Sequence, residues 1–125
     1  MLSKIQVVKA RKAFESLYDG TCTITEYGKR QKANKSIAFS ETVVLENQPC
    51  RLSYKTINNT SSTETGASAV TQIIKLFIAP EIKVKPGSKI AVKQNDVVTE
   101  YQNSGEPAHY ATHQEIILEL FKGWS

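Results

Sequence analysis

From Gly20 onward the chain is written in short β-branched and aromatic runs separated by turn residues, and that texture admits few folds. Runs of roughly four to eight such residues, bounded by Gly, Pro, Asn or Ser, are strands; many of them in succession with no helical stretch between make a sandwich or a barrel. Residues 21–27 alternate with threonines on one parity, and the polar, basic stretch 28–36 reads as an exposed hairpin loop. Val43, Val44 and Leu45 come next, followed by a turn at Asn47, Gln48 and Pro49. Alternation then places Cys50, Leu52 and Tyr54 on one face as core positions.

Residues 72–79 are apolar on both parities, with Ile74, Leu76 and Ile78 on one side and Ile73 and Phe77 on the other. A strand with two apolar faces is either central or covers a subunit contact. Residues 82–84 and 90–92 flank Pro86-Gly87, a pair suited to a hairpin turn, and Val97 to Tyr101 makes another strand. In the last run Ile116, Leu118 and Leu120 share one parity, while Ile117 and Phe121 share the other with Glu115 and Glu119, a mixed face of the kind found at interfaces.

The first 18 residues lack Gly and Pro, and Val7, Ala10, Phe14 and Leu17 recur at helical spacing. They predict a short amphipathic helix ending near Asp19-Gly20, whose apolar stripe packs on its own domain or docks on a neighbouring subunit. At 125 residues, 40% hydrophobic and 22% charged, the chain has the size and composition of one folded domain. The expected fold is therefore mainly β: a single domain over 1–125, with an N-terminal helix in 1–19 and a small antiparallel β-barrel or sandwich over 20–125 that carries a long flexible loop at 55–70.

That loop is the least ordinary segment. Unstructured stretches longer than ~12–15 residues are uncommon in compact domains and are usually functional or disordered. This one is hydroxyl-rich, built of small residues and almost without charge, so it should project from the β body and order against a partner.

The residues supply little chemistry. Cys22 and Cys50 show no metal or redox spacing, and reduced thiols are the expected state. His109 and His113 would lie ~13 Å apart on an extended segment, too far to share a metal ion. No local signature surrounds a serine or cysteine nucleophile, and the six glycines are dispersed through turns and form no phosphate-cradling loop. An enzyme, a cofactor or a small-molecule substrate is therefore not expected. No apolar run approaches the ~18 residues of a membrane span, so no membrane role is expected either. The Asn-x-Ser/Thr matches at Asn34, Asn58 and Asn59 carry no meaning without secretion. The formal charge of +4, concentrated at Lys4, Lys9, Arg11 and Lys12 and at Lys29, Arg30, Lys32 and Lys35, favours nucleic acid or an acidic protein surface as partner, though solvated faces look the same.

The order of a short helix, Leu17-Tyr18-Asp19-Gly20-Thr21-Cys22-Thr23-Ile24, Asn47-Gln48-Pro49-Cys50-Arg51-Leu52-Ser53, a polar loop, Ile74-Lys75-Leu76-Phe77-Ile78-Ala79-Pro80 and Lys85-Pro86-Gly87-Ser88-Lys89-Ile90 resembles the head-tail connector, or head-closure, proteins of siphophages and prophages of Gram-positive bacteria. The run from Ser104 to Tyr110 and His113-Gln114-Glu115-Ile116 resemble the same family, so the likeness spans essentially the whole chain. It implies a homo-oligomeric ring at the virion's head-tail junction, made in the host cytoplasm. The portal adaptor would lie on one side and the tail terminator or tail-tube proteins on the other, with packaged double-stranded DNA passing through.

By that resemblance the channel-closing loop contains Lys55, Asn58, Asn59, Thr60, Ser61, Ser62, Thr63, Glu64, Thr65, Gly66 and Ala67. Folded back on itself it would reach roughly 25 Å. Its neutral hydroxyls suit a plug, because a lysine lining would hold DNA by counterion release. The candidate subunit-interface residues are Val7, Phe14, Leu17, Ile73, Phe77, Ile117 and Phe121. Two other readings are a neighbouring tail-completion protein and an oligonucleotide-binding barrel. The latter needs aromatics gathered on one exposed face, whereas Tyr27, Tyr54, Tyr101 and Tyr110 fall on separate runs.

Overall fold

The computed structural model describes residues 3–31, 36–59 and 69–124. One helix, α1 (Lys4–Glu15), precedes seven strands: β1 (Gly20–Gln31), β2 (Ile37–Asn59), β3 (Ala69–Ile78), β4 (Lys89–Gln94), β5 (Val97–Asn103), β6 (Ala108–His109) and β7 (Gln114–Leu120). The strands form a single antiparallel sheet in the order β3-β2-β1-β4-β5-β7-β6. A further β3–β7 pairing, Ile74↔Leu118 to Ile78↔Gln114, brings the sheet back on itself so that it closes nearly into a ring. The expected mainly antiparallel β fold with one short N-terminal helix is what the chain adopts.

Alternation fills the inside of this ring. Cys22, Ile24, Cys50, Leu52, Leu76, Ile78, Ile90, Val92, Tyr101, Ile116 and Leu118 are buried there with Val84 as one cluster, to which every strand except the two-residue β6 contributes. Each such aliphatic side chain stabilises the fold by about 1.5–3 kcal/mol relative to leaving it in water. Cys22 and Cys50 are both buried and free, and contact with Cys22 together with burial pushes the Cys50 thiol above its ordinary range. Tyr54, expected in the core, is half exposed; its hydroxyl lies 3.4 Å from that of Tyr101. The reason is that β2 is leaving the body at that point.

The long strand β2 departs most from expectation. Asn47-Gln48-Pro49 does not turn the chain: β2 runs through it paired with β1, from Gly20↔Cys50 to Gln31↔Ile37. Two register shifts, near Cys22/Ile24 and Ile24/Thr25, absorb an extra β2 residue each, and Asn47 takes a left-handed φ of 51°. These are β-bulges, which bend a strand without ending it. The basic stretch expected as a loop over 28–36 is correspondingly strand up to Gln31 and again from Ile37.

Pro86-Gly87 does form a tight turn, with Gly87 at φ 80° and the Ser88 N–H donating to the Lys85 carbonyl at 3.1 Å. Residues 82–84 nevertheless make no strand, so this is no hairpin. The hairpin is instead β4–β5, joined by Asn95 and Asp96 at φ 54° and 61°. Positive φ at both central residues is the twist-matched two-residue turn, which Asn and Asp tolerate.

Helix α1 begins on a capping box: the Ser3 Oγ accepts from the Gln6 N–H, and the Gln6 side chain accepts from the Ser3 N–H. It ends at Glu15, four residues short of the expected boundary, where Leu17 and Tyr18 close tighter turns on Phe14 and Glu15.

Candidate functional site

The backbone ladder defines two strand ribbons that leave the body. β1 pairs with β4 only over Thr21 to Thr25, so beyond that point β1 and β2 form a two-stranded ribbon ending at Gln31 and Ile37. At the other end of β2, residues 51–59 pair with β3 alone, and β3 pairs with β7 only over Ile74 to Ile78. Residues 55–59 and 69–73 are therefore a second ribbon, with no third strand against it among the described residues. Five residue pairs extend about 17 Å.

This corrects the expected loop of 55–70 at both ends. Lys55, Asn58 and Asn59 lie in β2, with Lys55 opposite Ile73 and Asn59 opposite Ala69. Residues 55–59 and 69–70 are paired strand where a flexible loop was expected, because Ile57 and the β-branched residues from Val70 to Ile73 continue the strand pattern. Thr60, Ser61, Ser62, Thr63, Glu64, Thr65, Gly66 and Ala67 lie outside the described residues.

The candidate interface residues separate into two groups. Leu17 and Ile117 are exposed, whereas Phe14, Phe77 and Phe121 pack within the chain and Val7 and Ile73 are partly covered. The Phe14 ring stacks on His113 at 3.9 Å and meets Phe77 edge-on at 5.9 Å, which docks α1 onto β3 and the start of β7. Tyr110 stacks on His113 as well, at 4.8 Å, so the imidazole is sandwiched and only 6% exposed. The stripe carrying Phe14 was expected to pack on its own domain or to dock on a neighbouring subunit; here Phe14 packs within the chain, on Phe77 and His113.

His113 Nδ1 lies 2.9 Å from the Thr112 hydroxyl and Nε2 lies 2.9 Å from a Glu115 carboxylate oxygen. A carboxylate only accepts, so Nε2–H donates to Glu115, while the Thr112 hydroxyl can serve Nδ1 either as donor or as acceptor. Glu115 also pairs with Lys75 at 3.4 Å. Burial favours its neutral form, yet the His113 hydrogen bond and Lys75 outweigh this and hold the carboxyl below its ordinary value. The hydroxyl, imidazole and carboxylate follow one another as in a hydrolytic triad, but with both faces of the imidazole stacked they lock α1 to the sheet.

A second aromatic cluster was not legible as such. Tyr27 and Phe39 sit diagonally across the first ribbon and stack at 5.6 Å, and Trp124 stacks on Tyr27 at 4.9 Å and 11°. Gly123, at φ 107°, turns the C-terminal segment towards them. The indole N–H donates to Glu41 at 2.8 Å, and Lys89 bridges Glu41 (3.2 Å) and Glu100 (3.4 Å) while lying over the Phe121 and Trp124 rings. The Trp124 and Lys89 contacts hold the Glu41 carboxyl below its ordinary value. The aromatics read as scattered include Tyr27, which is in fact gathered with Phe39, Phe121 and Trp124 beside Lys29 and Lys89. Two of these partners come from the last residues of the chain, which no local pattern could place.

Among the described residues no group of three or more His, Cys, Asp or Glu is placed to hold a metal ion, and no helix is long and apolar enough to cross a membrane. What the fold and its surfaces define is a small β body, nearly closed on itself, that holds out two strand ribbons and carries a docked helix. No protein-family model matches the chain, and no curated protein matches it. Among solved structures it is similar to that of the phage-like element PBSX protein xkdH from Bacillus subtilis, at 10% identity over 80% of this chain and 91% of that one, with a TM-score of 0.49.

Proposed function

We propose that the chain is a structural subunit of a phage head-tail junction, a head-closure or connector protein that works as a ring and closes the DNA channel with the β2–β3 ribbon and its tip. The observation that carries this reading is the ribbon itself. A two-stranded arm about 17 Å long, fed by a bulged strand and, among the described residues, paired with no third strand, is held out by a body whose interior is filled with aliphatic side chains. Such an arm cannot bury its own surface and gains stability only against something outside the body. The order of motifs along the chain supplies the kind of partner, copies of the same subunit around the DNA.

The test is deletion of residues 58–69 in the phage gene. The expected result is a folded protein with an unchanged far-UV spectrum and heads that lose their DNA after packaging. Heads that stay filled refute the role.

A second reading is favoured by one observation, the Tyr27–Phe39–Trp124 stack beside Lys29. Stacked rings with a neighbouring cation are the elements of a platform for single-stranded nucleic acid. In this reading Phe39, 58% exposed, would present its outer face to a base.

A further inference from the structure

Helix α1 turns its second face outward. Ile5 is 69% exposed and Val8 53%, and they sit in a shallow apolar depression whose other walls are Lys4, Lys9 and Lys12. The fourth cation of the helix is committed elsewhere, since the Arg11 guanidinium bonds Glu15 and Glu81, both at 2.6 Å, and fixes the helix on the body. Among the described residues none pairs with the three lysines. The outward face is thus an apolar centre rimmed by free positive charge.

A complementary surface lies on the same molecule, on the outer face of β5 and β7. Along β5 and β7 the inward parity is occupied by Tyr101, Asn103, Ile116 and Leu118, which leaves Val98, Glu100, Ile117 and Glu119 on the outer face. Val98 is 60% exposed and Ile117 46%. Glu119 is held by the Gln102 amide at 2.6 Å, and among the described residues Glu100 has Lys89 as its counter-ion at 3.4 Å. The register Gln102↔Glu119 makes these four residues one strip about 20 Å long, against about 12 Å of helix from Lys4 to Lys12.

From this complementarity we infer that the outward face of α1 docks on the β5–β7 outer face of a second copy of the chain. The inference rests on the ring reading above and names its lateral contact. The two faces are different patches of one body, and in a heterologous contact each copy offers its helix to one neighbour and its sheet to the other. That arrangement produces a ring when the rotation closes. A mixed acidic and apolar sheet face satisfies the lysines and covers Ile5 and Val8 together, whereas a phosphate backbone would leave the two aliphatic side chains in water.

The test uses the full chain at low salt, with association followed by sedimentation velocity. Lys9→Glu/Lys12→Glu and Glu100→Lys/Glu119→Lys should each weaken self-association on the order of tenfold or more, because each sets like charges opposite one another. Mixing the two variants in equal amounts should restore it, since both new contacts then join opposite charges. Failure of the mixture to recover, or wild-type affinity in either variant alone, overturns the assignment. So does a wild-type chain that stays monomeric at the highest soluble concentration, and so does duplex DNA binding lost in Lys9→Glu/Lys12→Glu without any self-association. If this contact fails while deletion of residues 58–69 still empties heads, the connector reading stands and the lateral surface lies elsewhere.

Discussion

Replacing Phe14 with alanine should release α1 from the sheet while leaving the sheet folded. No residue of the helix is fully buried, and its attachment depends on one ring that touches His113 at 3.9 Å and Phe77 at 5.9 Å. Two such ring contacts contribute about 0.5–1.5 kcal/mol each beyond area burial. Partial burial of the phenylalanine adds about 1 kcal/mol, roughly half the value for full burial. The sum, about 2–4 kcal/mol, corresponds to roughly 30- to 1000-fold in the docking equilibrium. Little opposes this loss: the Arg11–Glu81 pair is largely exposed and contributes about 0–1 kcal/mol. A 12-residue helix is marginal by itself in water, so the undocked segment should melt. Hydrogen exchange reads this directly. Amides of α1 in Phe14→Ala should lose protection by about 30-fold or more, those of β1, β3 and β4 should be unchanged, and Arg11→Ala should lose no more than about fivefold. Helix protection equal to wild type would refute the reasoning, as would a sheet that unfolds together with the helix.

The Glu115 carboxyl is held below its ordinary value in the fold, so the stability it contributes is present above the range of the unfolded carboxyl and is lost as pH falls through the folded value. Denaturant midpoints should therefore fall with pH below 4.5, and Glu115→Gln should flatten that fall; an unchanged slope in the variant refutes the assignment. On the nucleic-acid reading, a short single-stranded oligonucleotide should quench the fluorescence of Trp124, the chain's one tryptophan, in a salt-dependent way, and Phe39→Ala should abolish the response. Fluorescence unaffected at low salt removes that reading.

How far the sequence could be read depended on the range of the interaction. Alternation over two or three residues is local. It located Cys50 and Leu52 in the core and grouped Leu76 with Ile78 and Ile116 with Leu118, which are buried, but it also grouped Tyr54 and Leu120 with them, which are exposed. Turn chemistry is local too: Pro86-Gly87 turned as expected, yet what flanked it did not pair, because strand partners are chosen by the whole sheet. Asn47-Gln48-Pro49 carries the residues of a turn, but continuous pairing with β1 won, and the strand bulged instead of reversing. The aromatic contacts were least legible. Phe14 announces an apolar helix face without saying that His113, from the opposite end of the chain, is its partner, and Tyr27 gives no hint of Trp124.

The length of β2 connects these findings to the proposed assembly. One strand serves both ribbons, so their mutual direction is set by the two bulges and by the left-handed Asn47 between them. A ring subunit has to make side-to-side contacts and also present an arm towards the axis, and the two requirements conflict if they draw on the same surface. Here they draw on different segments: the β2–β3 arm is residues 55–59 and 69–73, whereas α1 and β7 meet β3 from Ile74 onward, through Phe77 and the β3–β7 pairing. Movement of the arm would reach the proposed lateral contact through β3, whose Ile74–Ile78 segment pairs with β7 and whose Phe77 holds α1, and the close-packed aliphatic core beneath resists that deformation.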